Sequence, residues 1–401
     1  MLLIIYTNGM KFLNIVRLET FLVGRDWNNL LLVRLTTDSG LTGVGEGTMQ
    51  WQAASVQAAT AVLFERYVHG ANPFEIERLV QAMYRNEYAR GGPVVNSAIA
   101  GIEMALWDIC GKATNLPVHS LLGGRMRDSI PAYANGWFGN RVDDVVLAQD
   151  ARAVRQAGYT GLKFDPFGGA GRDPSQAEIK DGLRKLGVVR AAVGDTMRIM
   201  IDGHGRFSVG TASYIAHGLA EHDVYWFEEP VEPENFRALG EVERPNGLRI
   251  ATGERCFSRY QYPALIQDAR PHVLQPDLIQ VGGLLEGRKI ASLAETHYLP
   301  VSFHVPFGPI ATAAALQLDA AIPNFVCQES FSAFDVPWRK DLVTNCPMPK
   351  NGAYPVSTAP GLGIEINDEV ALAHPYRDDA VLPMWGENGS MTAGLEASMP
   401  A

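Results

Sequence analysis

The sequence predicts an α/β fold: a (β/α)8-type barrel, preceded by a smaller α+β unit and followed by a tail. Three observations predict it. Asp202, Glu228 and Glu254 each close a short apolar run (RIMIDGH, VYWFEEP, RIATGER), and the step between them is 26 residues both times. A strand, turn, helix and turn take about 25 to 30 residues in a barrel of parallel strands. Candidate strands end near Ala134, Lys163, Asp202, Glu228, Glu254, Asp277, His304 and Glu329, which makes eight. Counting to eight favours a closed cylinder, although alternation alone also permits an open doubly wound sheet.

The first unit reads differently from the rest. From Phe12 to about Gly47 the runs FLNIVRLETFLV, NNLLLVRLTTDSG and LTGVGEG suit two or three antiparallel strands joined by turns. Apolar residues at three-to-four spacing then predict helices over 52–69, 74–87 and 94–113. Asn72-Pro73 and Gly91-Gly92-Pro93 break between them. Residues 1–125 thus form an α+β unit, and strand–helix alternation takes over after Gly123-Gly124. Residues 126–335 hold the barrel, with GGAGRDPSQ inserted between the second and third strands as a wall of the rim. Residues 336–401 are a Pro- and Gly-rich tail, with a GLGIEIND turn and PMWG, expected to pack back on the first unit.

Composition bounds the function. Hydrophobic residues make up 47% and charged ones 19%, with no low-complexity tract, so the chain is globular rather than disordered. A net charge of -10 argues against nucleic acid or an anionic membrane as partner. Cys110, Cys256, Cys327 and Cys346 are scattered without a CxxC pair and read as reduced thiols, as in a cytoplasmic protein. The opening MLLIIY is too short for a signal peptide or a membrane span, and Met10 is an alternative start. ENGS at 387–390 is a chance sequon. GGLLEGRK at 282–289 puts Arg288 where a phosphate loop needs Lys, with no Ser or Thr following, and is assigned to the turn and helix after the sixth strand.

In a barrel, groups at the C-terminal strand ends face the site. Here those ends deliver Lys163, Asp202 with His204, Glu228, Glu254, Asp277, His304 and Glu329 to one rim. Three hard oxygen ligands without Cys or His suit Mg²⁺, with Mn²⁺ as a substitute. Asp277 and His304 close neighbouring strands, so the carboxylate can fix the imidazole tautomer and make His304 a general base. The plain alternative is a His capping a strand and an Asp opening a turn. His204, two residues beyond Asp202, faces the same cavity if the segment is extended, as a fourth ligand, a proton donor or a solvated loop histidine. Lys163 snorkels, pairs with Asp165, or serves as a second base or carboxylate clamp. Glu329 is either protonated toward an oxyanion or the balance of a basic neighbour.

FEEP, TGER, QPDLIQVGG and HVPFGPI, in this order and spacing, resemble the enolase superfamily, and within it the mandelate racemase/muconate lactonizing enzyme group. The resemblance covers nearly the whole chain. It implies a modified TIM barrel with an N-terminal capping domain completed by the C-terminal tail. It also implies Mg²⁺ on Asp202, Glu228 and Glu254, and abstraction of the proton α to a substrate carboxylate to give an enediolate. DGHGR resembles the galactonate dehydratase-type acid-sugar dehydratases. In those, the His matching His204 protonates the leaving 3-hydroxyl, and the His matching His304, backed by Asp277, removes the C2 proton. The residue matching Glu329 binds the substrate carboxylate. One departure is that racemases of the group carry Lys-x-Lys at the second strand, whereas this chain has Lys163-Phe164-Asp165. That leaves two readings: dehydration of a sugar acid such as galactonate, or a racemase or epimerase working with Lys163 and His304 on opposite faces. A catalytically dead barrel used for binding would lack a ligand or base, and none is missing. LVGRDWNN and MQWQA, with Trp27 and Trp51, are expected to close over the site, and caps of this kind imply an even-numbered homo-oligomer.

Overall fold

The computed structural model describes residues 13–139 and 143–380. MLLIIY, Met10, PMWG and the ENGS sequon lie outside the described residues. An antiparallel meander opens the chain: β1 (Ile15–Gly24), β2 (Asn29–Thr37) and β3 (Thr42–Glu46). The two-residue period of β2 makes it a seam. Leu31, Val33 and Leu35 enter the core of the first unit, whereas Leu30 and Leu32 enter the core shared with the barrel.

Three helices cover the meander: α1 (Ala53–Leu63), continued by a widened turn to Val68, then α2 (Ile76–Arg85) and α3 (Pro93–Thr114). α3 starts on a proline and stops at Asn115 in the left-handed region (φ 56°). It is long and apolar enough to cross a membrane, yet 83% of that stretch is buried inside the protein, which makes it a core helix. Gly43 and Gly45 of β3 permit its close approach, because a Cβ there would strike the Ala105 and Gly101 carbonyls.

After the short α4 (Val118–Leu121) the barrel begins. Its parallel strands are β4 (Ser129–Ala134), β5 (Gly161–Phe164), β6 (Arg198–Asp202), β7 (Trp226–Glu228), β8 (Arg249–Thr252), β9 (Val273–Leu274) and β10 (Gln328–Ser330). They run in the order β10-β4-β5-β6-β7-β8-β9. Between β9 and β10 the seventh position is held by single bridges. Val301 pairs with Leu274 on one side and Phe325 on the other, and His304 pairs with Asp277. These bridges close the cylinder, so the open doubly wound sheet is ruled out.

The connecting helices are α5 (Asp144–Gln156), α6 (Gln176–Val193), α7 (Val209–Glu221), α8 (Phe236–Glu241), α9 (Tyr262–Ala264), α10 (Leu284–Thr296) and α11 (Pro309–Ala321). β10 leads instead to a 3₁₀ turn, Pro337–Asp341. The chain then returns: β11 (Ala353–Pro355) pairs antiparallel with β4, and α12 (Asp368–Ala373) lies against β1. Leu362 donates to Asp108 of α3, and Asp368 pairs with Arg34 of β2.

Two buried carboxylates fasten the first unit to the barrel. Glu46 accepts from the backbone N–H of Gly308 and Ala311, and Glu103 accepts from Leu284 and Leu285. Each thereby caps otherwise unpaired N–H groups in the first turn of a barrel helix. At α10 the Glu103 carboxylate thus takes the N–H groups of GGLLEGRK that a phosphate would otherwise need. Inside the cylinder Tyr133, Met200, Trp226, Ala251, Val273 and Cys327 form an apolar plug. Asp202 and Glu228 follow two residues after Met200 and Trp226, so the same inward face that packs the plug turns ionisable at the mouth.

Candidate active site at the barrel mouth

The strand register brings the carboxylates together. Asp202 and Glu228 are directly paired positions on β6 and β7, and Glu254 lies two residues past the end of adjacent β8. All three stand at the C-terminal mouth. Among the described residues, no group of three or more His, Cys, Asp or Glu side chains is placed so that it could hold a metal ion as it stands. Instead the Lys163 ammonium lies 3.0 Å from Asp202 Oδ2 and in contact with Glu228 Oε1. Glu228 Oε2 accepts from the Trp226 indole at 2.9 Å and from Gln275 at 2.7 Å.

Electrostatics show what this cluster lacks. Burial pushes the Glu228 and Glu254 carboxyls above the usual range, and repulsion from Asp202 adds to each. Asp202 itself is held low: burial opposes its charge, but His204 and Lys163 outweigh that. Two buried carboxylates and the half-buried Glu254, which repel one another, form a set of hard oxygen donors in need of positive charge, and that chemistry fits Mg²⁺.

Lys163 is only 2% exposed, and it also reaches Glu329 Oε1 at 3.0 Å. Burial disfavours its charge, yet Asp202, Glu228 and Glu329 together raise its pKa well above the ordinary lysine value. It is a fixed cation. Asp165, the other partner considered for it, turns away to His204 and Arg206. Glu329 accepts from Asn135, Lys163 and the Val305 N–H, and its carboxyl is held low, with Lys163 and His304 overcoming burial. Of its two readings, the structure favours the ionised partner of a basic neighbour.

Asp277 Oδ2 accepts from His304 Nδ1 at 2.7 Å, which leaves Nε2 pointing outward, 3.5 Å from Glu254 Oε2. Asp277 is itself fixed by the backbone N–H groups of Ile279 and Gln280. Burial works against charge on His304, but Glu254, Asp277 and Glu329 push its pKa up to about 10. The largest raising influence is Glu254, so neutralising that carboxylate lowers the imidazole toward the range of a general base.

His204 reaches the cavity by another route than extended spacing. β6 ends at Asp202, and His204 adopts a left-handed backbone (φ 48°) with its N–H donated to Asp202 Oδ1 at 2.9 Å. The turn swings the ring so that Nε2 comes 3.6 Å from Asp202 Oδ2, while Nδ1 donates to Asp165 at 3.0 Å. Burial opposes its charge, but Asp202 and Asp165 raise its pKa. Sequence reasoning missed Asp165 as the partner of His204, and missed Arg206, Gln275 and Asn135. The signal for Asp165 was its place two residues beyond Lys163 at a strand end.

From the first unit, the loop 25–28 extends over the mouth. Buried Arg25 donates to the Pro306 carbonyl and to Asp335, and stacks over Trp27 at 4.4 Å. Trp27 lies 6.4 Å from Phe331, and its carbonyl accepts from the Trp51 indole. Gln50 meets Gln280 of the barrel at 2.8 Å. The insertion after β5 lies along the rim, where the Gly168 carbonyl accepts from Arg206 and Arg172 pairs with Glu232.

Cap, closed barrel and a mouth lined by carboxylates, two histidines and one lysine define a cap-and-barrel enzyme. Residues 146–370 match the family described as Enolase C-terminal domain-like, and residues 18–123 match the Mandelate racemase / muconate lactonizing enzyme, N-terminal domain. The chain belongs to the enolase superfamily, in its mandelate racemase/muconate lactonizing enzyme group. It is similar to a D-galactonate dehydratase of Verminephrobacter eiseniae, 36% identical over 90% of this chain and 94% of the relative. A D-xylonate dehydratase of Haloferax volcanii is 32% identical over 91% and 90% of the two chains. Among solved structures, a mandelate racemase/muconate lactonizing enzyme from a Jannaschia species superposes with a TM-score of 0.83 at 34% identity, covering 91% of this chain and 98% of that one. With relatives of these kinds the chain is an enzyme of the hydro-lyase type.

Proposed function

We propose that this enzyme dehydrates an aldonate-type sugar acid, galactonate being the first candidate, to a 2-keto-3-deoxy acid. One observation carries the reading: two histidines flank the run of carboxylates, His204 against Asp202 at one end and His304 against Glu254 at the other. Dehydration needs such a division of labour. His304, held through Nδ1 by Asp277, takes the C2 proton on Nε2. His204 gives a proton to the hydroxyl leaving C3; the C–O bond breaks, water departs, and the enol tautomerises to the ketone. Asp202, Glu228 and Glu254 would hold Mg²⁺, or Mn²⁺ in its place, which when bound neutralises charge developing on the substrate carboxylate. Lys163 and Glu329 order the inner side of the cluster.

The domain reading follows the chemistry: 1–125 as cap, 126–335 as catalytic barrel, 336–401 as the segment returning to the cap. Free thiols at all four cysteines support a cytoplasmic setting. An even-numbered homo-oligomer without nucleic-acid or membrane partners completes the proposal. Proton NMR in D₂O with a panel of sugar acids, with and without EDTA, tests the function. A 2-keto-3-deoxy product that disappears with EDTA supports it. Deuterium entering recovered substrate at C2 with no keto product would establish the racemase or epimerase reading instead.

A further inference from the structure

We propose that Asp165 is a positioning residue for His204, so that the site holds two Asp–His pairs, one on each side of the carboxylate cluster. The inference rests on the dehydratase reading and deepens it. Asp165 sits one residue past β5, and its Oδ2 lies 3.0 Å from His204 Nδ1. A carboxylate can only accept here, so Nδ1 carries the proton and Nε2 is the nitrogen left for the substrate. Asp277 and His304 repeat this construction across the mouth, at 2.7 Å.

Asp165 is itself immobilised. Arg206 donates to both of its oxygens at 2.7 Å, and the Phe167 N–H donates to Oδ1 at 2.9 Å. Arg206 is buried, and it is anchored in turn on the carbonyls of Gly203 and Gly168. The histidine needs such a hold. It stands in a left-handed backbone followed by Gly205 (φ 69°), a conformation that side chains rarely adopt and that ties the ring to nothing by itself. Without Asp165, the turn places the ring near Asp202 but leaves both tautomer and rotation free. With it, Nε2 of the imidazolium points to the leaving group: the Nε2 proton passes to the departing hydroxyl, the C3–O bonding pair leaves with that oxygen as water, and the pair released from C2–H becomes the C2–C3 double bond.

The test compares wild type with Asp165→Ala. Keto-acid formation is expected to fall about 10- to 100-fold in kcat with KM little changed, while His304-dependent deuterium exchange at C2 of recovered substrate persists. Ring ¹⁵N spectra of His204 are expected to lose the protonated Nδ1 signature. The double variant Asp165→Ala/Arg206→Met also removes the guanidinium that has lost its carboxylate, should the single variant fail to fold. Equal loss of exchange and dehydration, or an unchanged ¹⁵N pattern, overturns the assignment. If wild type dehydrates no sugar acid, the functional reading fails, and the ¹⁵N spectra still decide whether Asp165 holds the ring.

Discussion

Lys163 and Glu329 meet at 3.0 Å inside the barrel mouth, and the same ammonium lies 3.0 Å from Asp202. This geometry bears on the choice between dehydration and epimerisation. A base on the second face has to be neutral and free to reach substrate, whereas Lys163 is enclosed and its charge is stabilised by three carboxylates. Wild-type enzyme is therefore expected to return unreacted substrate with its C2 configuration intact, which chiral chromatography of the recovered acid checks. Lys163→Met leaves buried carboxylates without their cation. Its expected cost is about 3–5 kcal/mol of stability, read by urea unfolding and smaller with Mg²⁺ present.

Metal removal gives the second prediction. Asp202, Glu228 and Glu254 repel one another when ionised, so a cation bound to the folded form stabilises it. Thermal unfolding in EDTA should occur at lower temperature than in Mg²⁺, by an amount corresponding to about 3 kcal/mol at a metal concentration near 100 times Kd. Glu254→Gln should abolish most of that difference. An unfolding temperature indifferent to Mg²⁺ and Mn²⁺ would remove the metal from the proposal.

The barrel was legible because every strand end after the first repeats one physical motif, an apolar run closed by an ionisable residue. The repeat is thinnest where prolines interrupt it. Pro276 and Pro300 flank the weakest strands, and there β9 keeps two residues and the seventh position only single bridges. Partnerships across strands were harder to read. Asp165 and Arg206 are 41 residues apart, and nothing local marks them as a pair. His204 illustrates a different limit: its orientation comes from a left-handed turn and not from the extended spacing that the sequence suggests. The two cap carboxylates, Glu46 and Glu103, were invisible for the same reason as Asp165, since their partners are backbone N–H groups of distant helices.

In the proposed mechanism Asp277 acts through His304, and the third prediction separates the two. His304→Asn should eliminate both C2 exchange and keto-acid formation, because it removes the imidazole beside Glu254 that takes the proton in the proposed mechanism. Asp277→Asn keeps the shape but removes the charge that favours protonated Nδ1, so kcat should fall by about 100-fold or more with folding unchanged. Exchange and product formation should fall together in both variants, since the first proton transfer precedes loss of water. An Asp277→Asn enzyme of near-normal kcat would return this pair to a merely structural role.

Glu103 makes stability depend on pH. Burial raises its carboxyl to about 7, with the N–H groups of Leu285 and Leu284 and the Trp107 indole opposing that rise. Its ordinary value is 4.5, so between about pH 4.5 and 7 the folded protein binds this proton more tightly than the unfolded chain does. The stabilisation is complete below that window and is lost as pH rises through it, by an amount on the order of 3 kcal/mol. Glu103→Gln removes the titration. It also leaves one acceptor oxygen for helix N–H groups that had two, a cost of about 1–2 kcal/mol at every pH. Urea unfolding at pH 5 and at pH 7.5 should therefore show wild type losing more stability across the interval than the variant, although the variant starts lower. Parallel losses in the two proteins would mean that Glu103 is already ionised in the folded state at pH 5.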